Sequence, residues 1–444
     1  MKKHHFLLFI FFFGIVTSIY SQSLNFFEVK TENKPLERAE NAFVMAGNKM
    51  YLIGGRGVKP VEIYDPATNS WSKGSLPPVE MHHFQAAEYK GLIYVMGAFT
   101  GNWPWETPLT HIYIYDPLQD LWILGPEIPV SRRRGSAGVT VYNDKIYMVG
   151  GIVNGHSSGW VAWFDEYDPL TNSWKELPEA PRSRDHIQIA VVDNKLVVAA
   201  GRRSGWEGKG LEATTAETDL YDFASGKWST LPSPAGDIPT QRGGGTVVVI
   251  GNELWLMGGE SKSQVPAHSE IESLNVNTGT WKNIGMFKTG RHATQVIRFD
   301  TRLYVAAGCG NRGGAPELNS LESLILHSSI PVNSHIIYPG KARLNENTLN
   351  FGKVKKNSSK TITVELTHNE GSQSIPLTYI TITGNSGFSI VNAADLPVIL
   401  LPGQTLKLQI KFEPLNGDSA EANLNIKRAD KGKTEPWVVK LAGN

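Results

Sequence analysis

The chain has 444 residues, of which 41% are hydrophobic and 19% are charged, and its formal net charge is +1. This length and composition indicate a globular protein of two or more domains, and the near-neutral charge excludes a general attraction to nucleic acid. The counts of 44 glycines, 25 prolines and 12 tryptophans favour many short strands joined by tight turns.

Residues 1–21 are typical of a secretory signal peptide. Lys2 and Lys3 precede an apolar run from Phe6 to Val16, and small residues follow as far as Ser21. The apolar run is too short to span a bilayer, so we expect cleavage near Ser21 and no transmembrane anchor. The mature protein is then exported to the periplasm, to the cell surface or to the medium.

A unit of four short strands recurs through the following 300 residues. Its clearest copy is the stretch 134–178, where turn residues separate four apolar runs and a Gly-Gly pair follows the second run. A Tyr-Asp pair and then a tryptophan come later in the unit. The glycine pairs or their equivalents recur at intervals of 43 to 58 residues, at Gly54-Gly55, Gly97-Ala98, Gly150-Gly151, Ala200-Gly201, Gly258-Gly259 and Ala307-Gly308.

The sixth unit stops after Leu321–Leu326 and lacks the strand that carries the tryptophan. The segment Leu24–Lys30 has a strand pattern but no unit of its own, so it predicts the missing fourth strand. Such closure removes open sheet edges. These repeats resemble the kelch repeat, and the resemblance implies a six-bladed β-propeller over residues 22–328, closed by the N-terminal strand.

The pattern changes after a predicted linker at residues 329–340. Residues 341–444 contain strands that alternate polar and apolar residues, such as Lys360–Leu366 and Leu406–Phe412. This part resembles the immunoglobulin-like domains related to ASPM–SPD-2–Hydin and choice-of-anchor modules. The expected fold is therefore all-β, a propeller followed by an immunoglobulin-like β-sandwich.

An arginine stands 16 residues before the glycine pair in five of the six units. Equivalent positions of a closed propeller converge on one mouth of its central channel, which by resemblance to kelch proteins is the usual ligand-binding face. A structural role is the alternative, in which each arginine bonds carbonyls or acids of a neighbouring loop. The column consists of Arg38, Met81, Arg134, Arg184, Arg242 and Arg291, and we expect Arg134, Arg242 and Arg291 to contact a ligand.

Polar residues that differ between units are more specific candidates, because blade architecture does not demand them. A cluster rich in arginine and histidine suits an anion, since the planar guanidinium bonds a carboxylate, sulfate or phosphate in two places. A solvated rim of mixed charge is the alternative. The candidates near the predicted mouth are His82, His83, Asp185, His186, Arg202, Arg203, Glu260 and His292.

Four tryptophans lie in the longest connections, which belong to the second, third and fourth units. Loops normally carry polar residues, so we expect these indoles to stack on a sugar ring or on a peptide side chain. The predicted site is therefore asymmetric. The four are Trp103, Trp105, Trp160 and Trp206.

Three functions fit these patterns. The first is recognition of a carbohydrate, acidic or neutral, or of an acidic partner at the channel mouth. The second follows from resemblance to exported six-bladed kelch mutarotases of sialic acid, which implies a mutarotase or epimerase with Asp185, His186 and Glu260 as acid and base. The third is an envelope scaffold whose C-terminal domain docks a protein partner.

Metal and cofactor chemistry are not expected. Copper radical oxidases share the kelch propeller, and they require tyrosine and histidine ligands with a Cys–Tyr crosslink. Cys309 is the only cysteine, and no matching ligand set accompanies it in the sequence. A buried, inert thiol is the simpler interpretation, and a single cysteine excludes an intrachain disulfide.

Overall fold

The computed structural model describes residues 23–208, 210–326, 336–414, 419–432 and 434–444. The predicted signal peptide and residues 329–335 of the predicted linker lie outside the described residues. The described chain consists of β-strands with two 3-10 turns, at Val130–Arg132 and Trp206–Gly208. Within the described ranges, no helix has the length and hydrophobicity needed to cross a membrane.

The strands of residues 23–326 form six main sheets and two small hairpins. The first half contains β1 (Leu24–Asn25), β2 (Phe27–Glu28), β3 (Asn41–Ala46), β4 (Lys49–Gly54), β5 (Glu62–Asp65), β6 (Ser70–Lys73), β7 (Ala87–Tyr89), β8 (Leu92–Val95), β9 (Phe99–Thr100), β10 (Thr107–Pro108), β11 (His111–Asp116), β12 (Leu121–Glu127), β13 (Gly138–Tyr142), β14 (Lys145–Val149), β15 (Ile152–Asn154) and β16 (Ser158–Trp160).

The second half contains β17 (Phe164–Asp168), β18 (Ser173–Leu177), β19 (Ile189–Val192), β20 (Lys195–Val198), β21 (Asp219–Asp222), β22 (Lys227–Thr230), β23 (Thr246–Ile250), β24 (Glu253–Met257), β25 (Glu270–Asn275), β26 (Thr280–Met286), β27 (Val296–Phe299), β28 (Arg302–Ala306) and β29 (Leu321–Ile325). The sheet orders are β3-β4-β5-β6, β12-β11-β8-β7, β13-β14-β17-β18, β19-β20-β21-β22, β1-β26-β25-β24-β23 and β2-β29-β28-β27. The remaining strands pair as two hairpins, β9-β10 and β15-β16.

The N-terminal strands join the two last sheets of this region. β2 pairs antiparallel with β29, with Phe27 opposite Ser323. β1 pairs parallel with β26, with Leu24 opposite Gly285. The sheet of the sixth unit therefore takes its outer strand from the start of the chain.

The recurring tyrosine and tryptophan pack against each other across the third and fourth strands of a unit. Tyr167 lies opposite Trp174 in the β17–β18 register, and the ring centroids are 5.0 Å apart. The Tyr167 hydroxyl also donates to Asn172 Oδ1 at 2.9 Å, in the turn that joins the two strands. The same ring pair recurs at 5.2 Å in Tyr64–Trp71, Tyr115–Trp122 and Tyr221–Trp228. These residues therefore stabilise the outer hairpin, as the repeat predicts.

The C-terminal domain is a two-sheet sandwich. Its strands are β30 (Lys341–Leu344), β31 (Thr348–Gly352), β32 (Lys360–Glu370), β33 (Ile375–Gly384), β34 (Phe388–Ile390), β35 (Val398–Leu400), β36 (Thr405–Phe412), β37 (Ala420–Arg428) and β38 (Trp437–Gly443). The sheets have the orders β30-β32-β36-β34 and β31-β38-β37-β33-β35. The alternating residues of β36 place Leu408, Ile410 and Phe412 in the shared core, as a period-2 pattern predicts.

The sandwich packs against the second and third units of the N-terminal region. Ile399 and Leu401 belong to the same apolar cluster as Tyr94 of the second unit. Beside this cluster, the Gln373 amide donates to Asp116 Oδ1 at 2.7 Å, and both side chains are buried. The contact is therefore an apolar core with a buried polar anchor.

Candidate functional site

One residue from each unit contributes to a ring of backbone hydrogen bonds at the centre of the six sheets. The backbone N–H of His83 donates to the Glu40 carbonyl at 3.0 Å, and each later unit repeats the bond at 2.8 to 3.1 Å. In the first unit the donor is the N–H of Asn41, the residue after Glu40. It donates to the Ala293 carbonyl at 3.2 Å, which completes the ring. All six ring residues have positive φ, between 53° and 66°. They are Glu40, His83, Ser136, His186, Gly244 and Ala293, and they line a narrow channel of about 40 Å³.

The arginine column lies inside the sheets and away from this channel. Each arginine is at most 1% exposed and donates to the backbone carbonyl 16 residues later, at 2.6 to 2.9 Å. Each also pairs with a buried carboxylate on the third strand of its unit, at 2.5 to 2.7 Å. The pairs are Arg38–Glu62, Arg134–Asp165, Arg184–Asp219, Arg242–Glu272 and Arg291–Glu322.

This placement corrects the expectation that Arg134, Arg242 and Arg291 contact a ligand. Their guanidinium groups are buried and already hold carbonyl and carboxylate partners, so they stabilise the unit. The structural alternative for the column is the better description.

A cavity of about 480 Å³ opens beside the ring, at one mouth of the channel. Its lining combines charged groups and imidazoles with the glycines of two loops. The side chains that matter for the site are Glu40, Arg56, His83, Trp103, His156, Arg202 and Glu260. All six units contribute to the lining, the sixth through Gly313 and Gly314, so the cavity is a shared site.

Short backbone bridges bring the two predicted polar columns together. Asp185 pairs with Arg202, and Gly243 pairs with Glu260, in isolated antiparallel bridges. These bridges connect the segment before a unit's first strand with the residue after its glycine pair. Arg202 and Glu260 both line the mouth cavity.

Arg202 and Glu260 form a buried ion pair that closes one wall of the cavity, with Arg202 Nη1 bonded to Glu260 Oε1. Glu260 Oε2 accepts the backbone N–H of Gly313 at 2.7 Å and lies 3.6 Å from His292 Nε2. Burial alone would raise the pKa of Glu260, but the charges of His292 and Arg202 outweigh it and hold the pKa at about 2. Burial would lower the pKa of His292, but the Glu260 charge raises it to about 9.

Three histidines meet beside the ring. His156 Nε2 lies 3.2 Å from His186 Nε2, and one ring nitrogen of each of His83, His156 and His186 lies within 4.8 Å of the others. Burial, followed by the charge of Arg202, lowers the pKa of His186, and burial lowers the pKa of His83 well below its usual value. Both imidazoles are therefore neutral at pH 7.

Carboxylates contact the Nδ1 atoms of two of these imidazoles. His186 Nδ1 contacts Asp185 Oδ1, and His156 Nδ1 lies 3.0 Å from Glu106 Oε1. Arg56 Nη2 bonds the same Glu106 oxygen at 2.7 Å.

Asp185, His186 and Glu260 do not form an available acid–base set. Asp185 is fully buried, and its carboxylate accepts the N–H and the hydroxyl of Ser204 at 2.9 and 2.6 Å. His186 Nε2 is in contact with His156 Nε2, and Glu260 is ionised in its pair with Arg202. The geometry thus disfavours the predicted catalytic roles of these residues.

Among the tryptophans, Trp103 lines the cavity and is 68% exposed. Trp105 is 74% exposed but stands outside the lining. Trp160 donates its indole N–H to the Ser204 carbonyl at 2.7 Å, and Arg203 lies 4.0 Å from the centroid of the Trp206 ring. The last two indoles and Arg203 therefore hold loops together, which corrects their assignment as ligand contacts.

His82 and His292 support the site from behind. His82 Nδ1 lies 2.7 Å from His83 Nδ1, and His82 Nε2 faces the Gly101 carbonyl at 3.0 Å. His292 Nε2 faces the Asn311 carbonyl at 2.9 Å. Both are buried and stand outside the cavity lining, so the prediction of direct ligand contact is corrected for these two residues.

The sequence reasoning missed His156, Glu106 and Arg56 as site residues. His156 lies in the β15–β16 hairpin and Glu106 in the loop between β9 and β10, both insertions without a repeat register. The His156 N–H donates to the Pro104 carbonyl at 2.9 Å, which docks one insertion on the other. The signal available in the sequence was the length of these two insertions.

Comparison with known proteins gives the following matches. A model of the Attractin/LZTR1 beta-propeller family matches residues 14–264, and a model of the HYDIN/CFA65/VesB-like Ig-like domain matches residues 340–444. Kelch-like protein terF of Aspergillus terreus is 25% identical over 287 residues, covering 61% of each chain. Kelch-like protein 25 of Xenopus tropicalis is 26% identical over 260 residues, covering 56% of this chain.

The matched regions span 61% and 41% of these two relatives' own lengths, less than two thirds of either. A solved structure titled "Structure of YjhT" superposes with a TM-score of 0.56 at 16% identity, covering 68% of this chain and 99% of that one. This likeness concerns the fold alone.

Proposed function

Because this chain belongs to the Attractin/LZTR1 β-propeller family, as a kelch propeller followed by an Ig-like domain, we propose that it is a binding protein whose mouth cavity holds a carbohydrate. The observation that carries the proposal is the cavity of about 480 Å³ with an exposed indole, Trp103, beside convergent charged groups. Such a concave site of mixed character is the usual form of a small-molecule site.

The lining favours a neutral, hydroxylated ligand. Arg56 is paired with Glu106, and Arg202 is paired with Glu260, so both arginines already have a carboxylate partner. A strongly acidic sugar would have to displace or share these partners, whereas hydroxyl groups can bond the remaining donors and acceptors. The expected ligand is therefore a neutral carbohydrate rather than an acidic one.

The test is a glycan array followed by calorimetric titration of each hit against the full chain. Trp103→Ala should weaken binding at least about fivefold, since a stacked aromatic contributes on the order of 1 kcal/mol beyond its buried area. Trp105→Ala is the matched control, because this indole lies in the same loop but outside the lining. Equal losses in the two variants would contradict the proposed site.

Two alternatives are outcomes of the same experiments. If no glycan binds and titration with acidic peptides gives binding, the protein is an interaction module. A protein that accelerates anomeric exchange, measured by NMR, is a mutarotase. Loss of that exchange in Glu260→Gln would then make Glu260 a catalytic residue.

We also propose that the six sheets are the blades of a closed six-bladed propeller. The ring of backbone bonds and the β2–β29 pairing support closure by the N-terminal strand. A Cβ on Gly285 would lie 1.9 Å from the Leu24 carbonyl oxygen, so Gly285→Ala must displace β1. We expect a lower melting temperature for Gly285→Ala, with Gly314→Ala as the control because a Cβ there meets open space. An unchanged melting temperature in Gly285→Ala would contradict a stabilising role for the pairing of β1 with β26, which precedes the closing strand β2.

Export remains part of the proposal, on the strength of the sequence at residues 1–21. Mass spectrometry of the protein from its native host should give a mature N-terminus near Ser21 or Gln22. Retention of Met1 in a cytoplasmic fraction would contradict export.

A further inference from the structure

Two imidazole nitrogens in the histidine cluster are within hydrogen-bond distance of each other. His156 Nε2 and His186 Nε2 are 3.2 Å apart. A hydrogen bond between them needs a proton on one of the two nitrogens.

Two carboxylates favour protons on the Nδ1 atoms of these rings rather than on the Nε2 atoms. Asp185 faces Nδ1 of His186, and Glu106 faces Nδ1 of His156, so each Nδ1 is the natural position of the N–H. In the neutral tautomers that result, both Nε2 atoms carry lone pairs. Two lone pairs pointed at each other repel, so the contact calls for a cation between them.

The spacing matches the geometry of a tetrahedral metal ion. Two nitrogens bonded at about 2.0–2.1 Å to tetrahedral zinc lie about 3.3 Å apart, close to the 3.2 Å between His156 and His186. A ring nitrogen of His83 lies within 4.8 Å of both, so it needs to move by about 1.5 Å to complete the set. The carboxylate behind each ring is the arrangement that orients histidine ligands in metalloproteins.

The charge around the cluster also favours a cation. The carboxylates of Glu40, Glu106, Asp185 and Glu260 are balanced in part by the guanidinium groups of Arg56 and Arg202 and by His292. Four negative charges therefore oppose three positive ones. A divalent ion with neutral histidine ligands would enter a region that has a surplus of negative charge.

We propose that His83, His156 and His186 form a metal site for Zn²⁺ at the mouth of the central channel. Imidazole ligands suit zinc and its neighbours in the first transition row. His83 and His156 both line the mouth cavity, so the fourth position faces the space that a ligand or a water molecule can enter. The site goes beyond carbohydrate binding and stands whether or not a sugar occupies the cavity.

The test uses the full chain without a polyhistidine tag, stripped of metal by a chelator and titrated with Zn²⁺ against a chromophoric competitor. We expect one equivalent of Zn²⁺ and an X-ray absorption spectrum with nitrogen ligands at about 2.0 Å. His156→Ala should weaken affinity by more than about 100-fold, beyond the effect of an outer-shell change. His111→Ala, in β11 and outside the cluster, is the matched control and should leave affinity unchanged.

Glu106→Gln separates a metal site from a general loss of structure. It keeps the size of the side chain but weakens its hold on His156 Nδ1, so we expect affinity to fall about 10–100-fold while the circular dichroism stays that of the unaltered protein. Failure of the unaltered chain to bind Zn²⁺, or unchanged affinity in a folded His156→Ala variant, would overturn the proposal. In either case a proton shared by His156 and His186 would account for the contact.

Discussion

Replacement of Arg242 by methionine should destabilise the propeller strongly. Both Arg242 and its partner Glu272 are at most 1% exposed, and their charged atoms are 2.6 Å apart. Arg242→Met leaves the Glu272 carboxylate buried without its guanidinium, and it also removes the bond to the Gly258 carbonyl. Breaking a buried pair from one side costs about 3–5 kcal/mol, so we expect a loss of that size in the free energy of unfolding.

The second unit supplies the matched double variant. Met81 occupies the arginine position there, and Tyr113 occupies the position two residues before the tyrosine of the Tyr-Asp pair, where the other units have the carboxylate. Both are buried in one apolar cluster. The double variant Arg242→Met with Glu272→Tyr copies this solution, so it should recover about 1–3 kcal/mol of the single variant's loss.

Urea unfolding followed by tryptophan fluorescence measures this effect in the full chain. All tryptophans except Trp437 precede residue 327, so the main fluorescence transition reports on the propeller. Arg343→Met, an exposed change in the C-terminal domain, should leave that transition in place. A single variant that loses less than about 1 kcal/mol, or a double variant that is no more stable than the single one, would refute the reasoning.

Two further predictions concern pH and the contact between the domains. Glu260 has a pKa of about 2 against its ordinary 4.5, so it contributes stability above pH 4.5 that is lost as the pH falls towards 2. The pKa of His292 is raised from 6.5 to about 9, so this group contributes stability below pH 6.5 that is lost as the pH rises through 9. The melting temperature should therefore fall between pH 6.5 and 9, and Glu260→Gln should flatten that fall; an unchanged profile in this variant would assign the effect to other groups. Gln373→Ala leaves the buried Asp116 carboxylate without its amide donor, so calorimetry should show about 1–3 kcal/mol of lost stability, and a change below 0.5 kcal/mol would mean that water replaces the amide.

The repeat predicted the architecture well because its marks are local. The kelch and immunoglobulin-like assignments are confirmed by the family matches. Asn143 and Asp144 both have positive φ in the two-residue turn between Tyr142 and Lys145, as their turn chemistry suggests. Each of these features depends on residues that are close together in the chain, so the sequence pattern contains the information.

The prediction that Arg134, Arg242 and Arg291 contact a ligand was wrong, because the position of an arginine in the repeat does not give the direction of its side chain. An acid stands two residues before the tyrosine of Tyr-Asp, or before its equivalent, in each unit that has the arginine. The second unit lacks both. That correlation within one chain would have identified a buried ion pair. The histidine cluster had no such signal, since His156 and Glu106 lie in insertions whose packing depends on the fold.

The second unit connects these observations. It lacks the buried ion pair, it carries Trp103 and Glu106 in the loop beside the cavity, and its Asp116 holds the C-terminal domain. Apolar packing of Met81 and Tyr113 satisfies this unit without a charged pair. The third unit also contributes to both, through His156 at the cavity and through Ile146 in the apolar cluster of Ile399, and it keeps the buried Arg134–Asp165 pair. A contribution to the site or to the domain contact therefore does not require loss of the ion pair, which in the second unit is a change confined to the core.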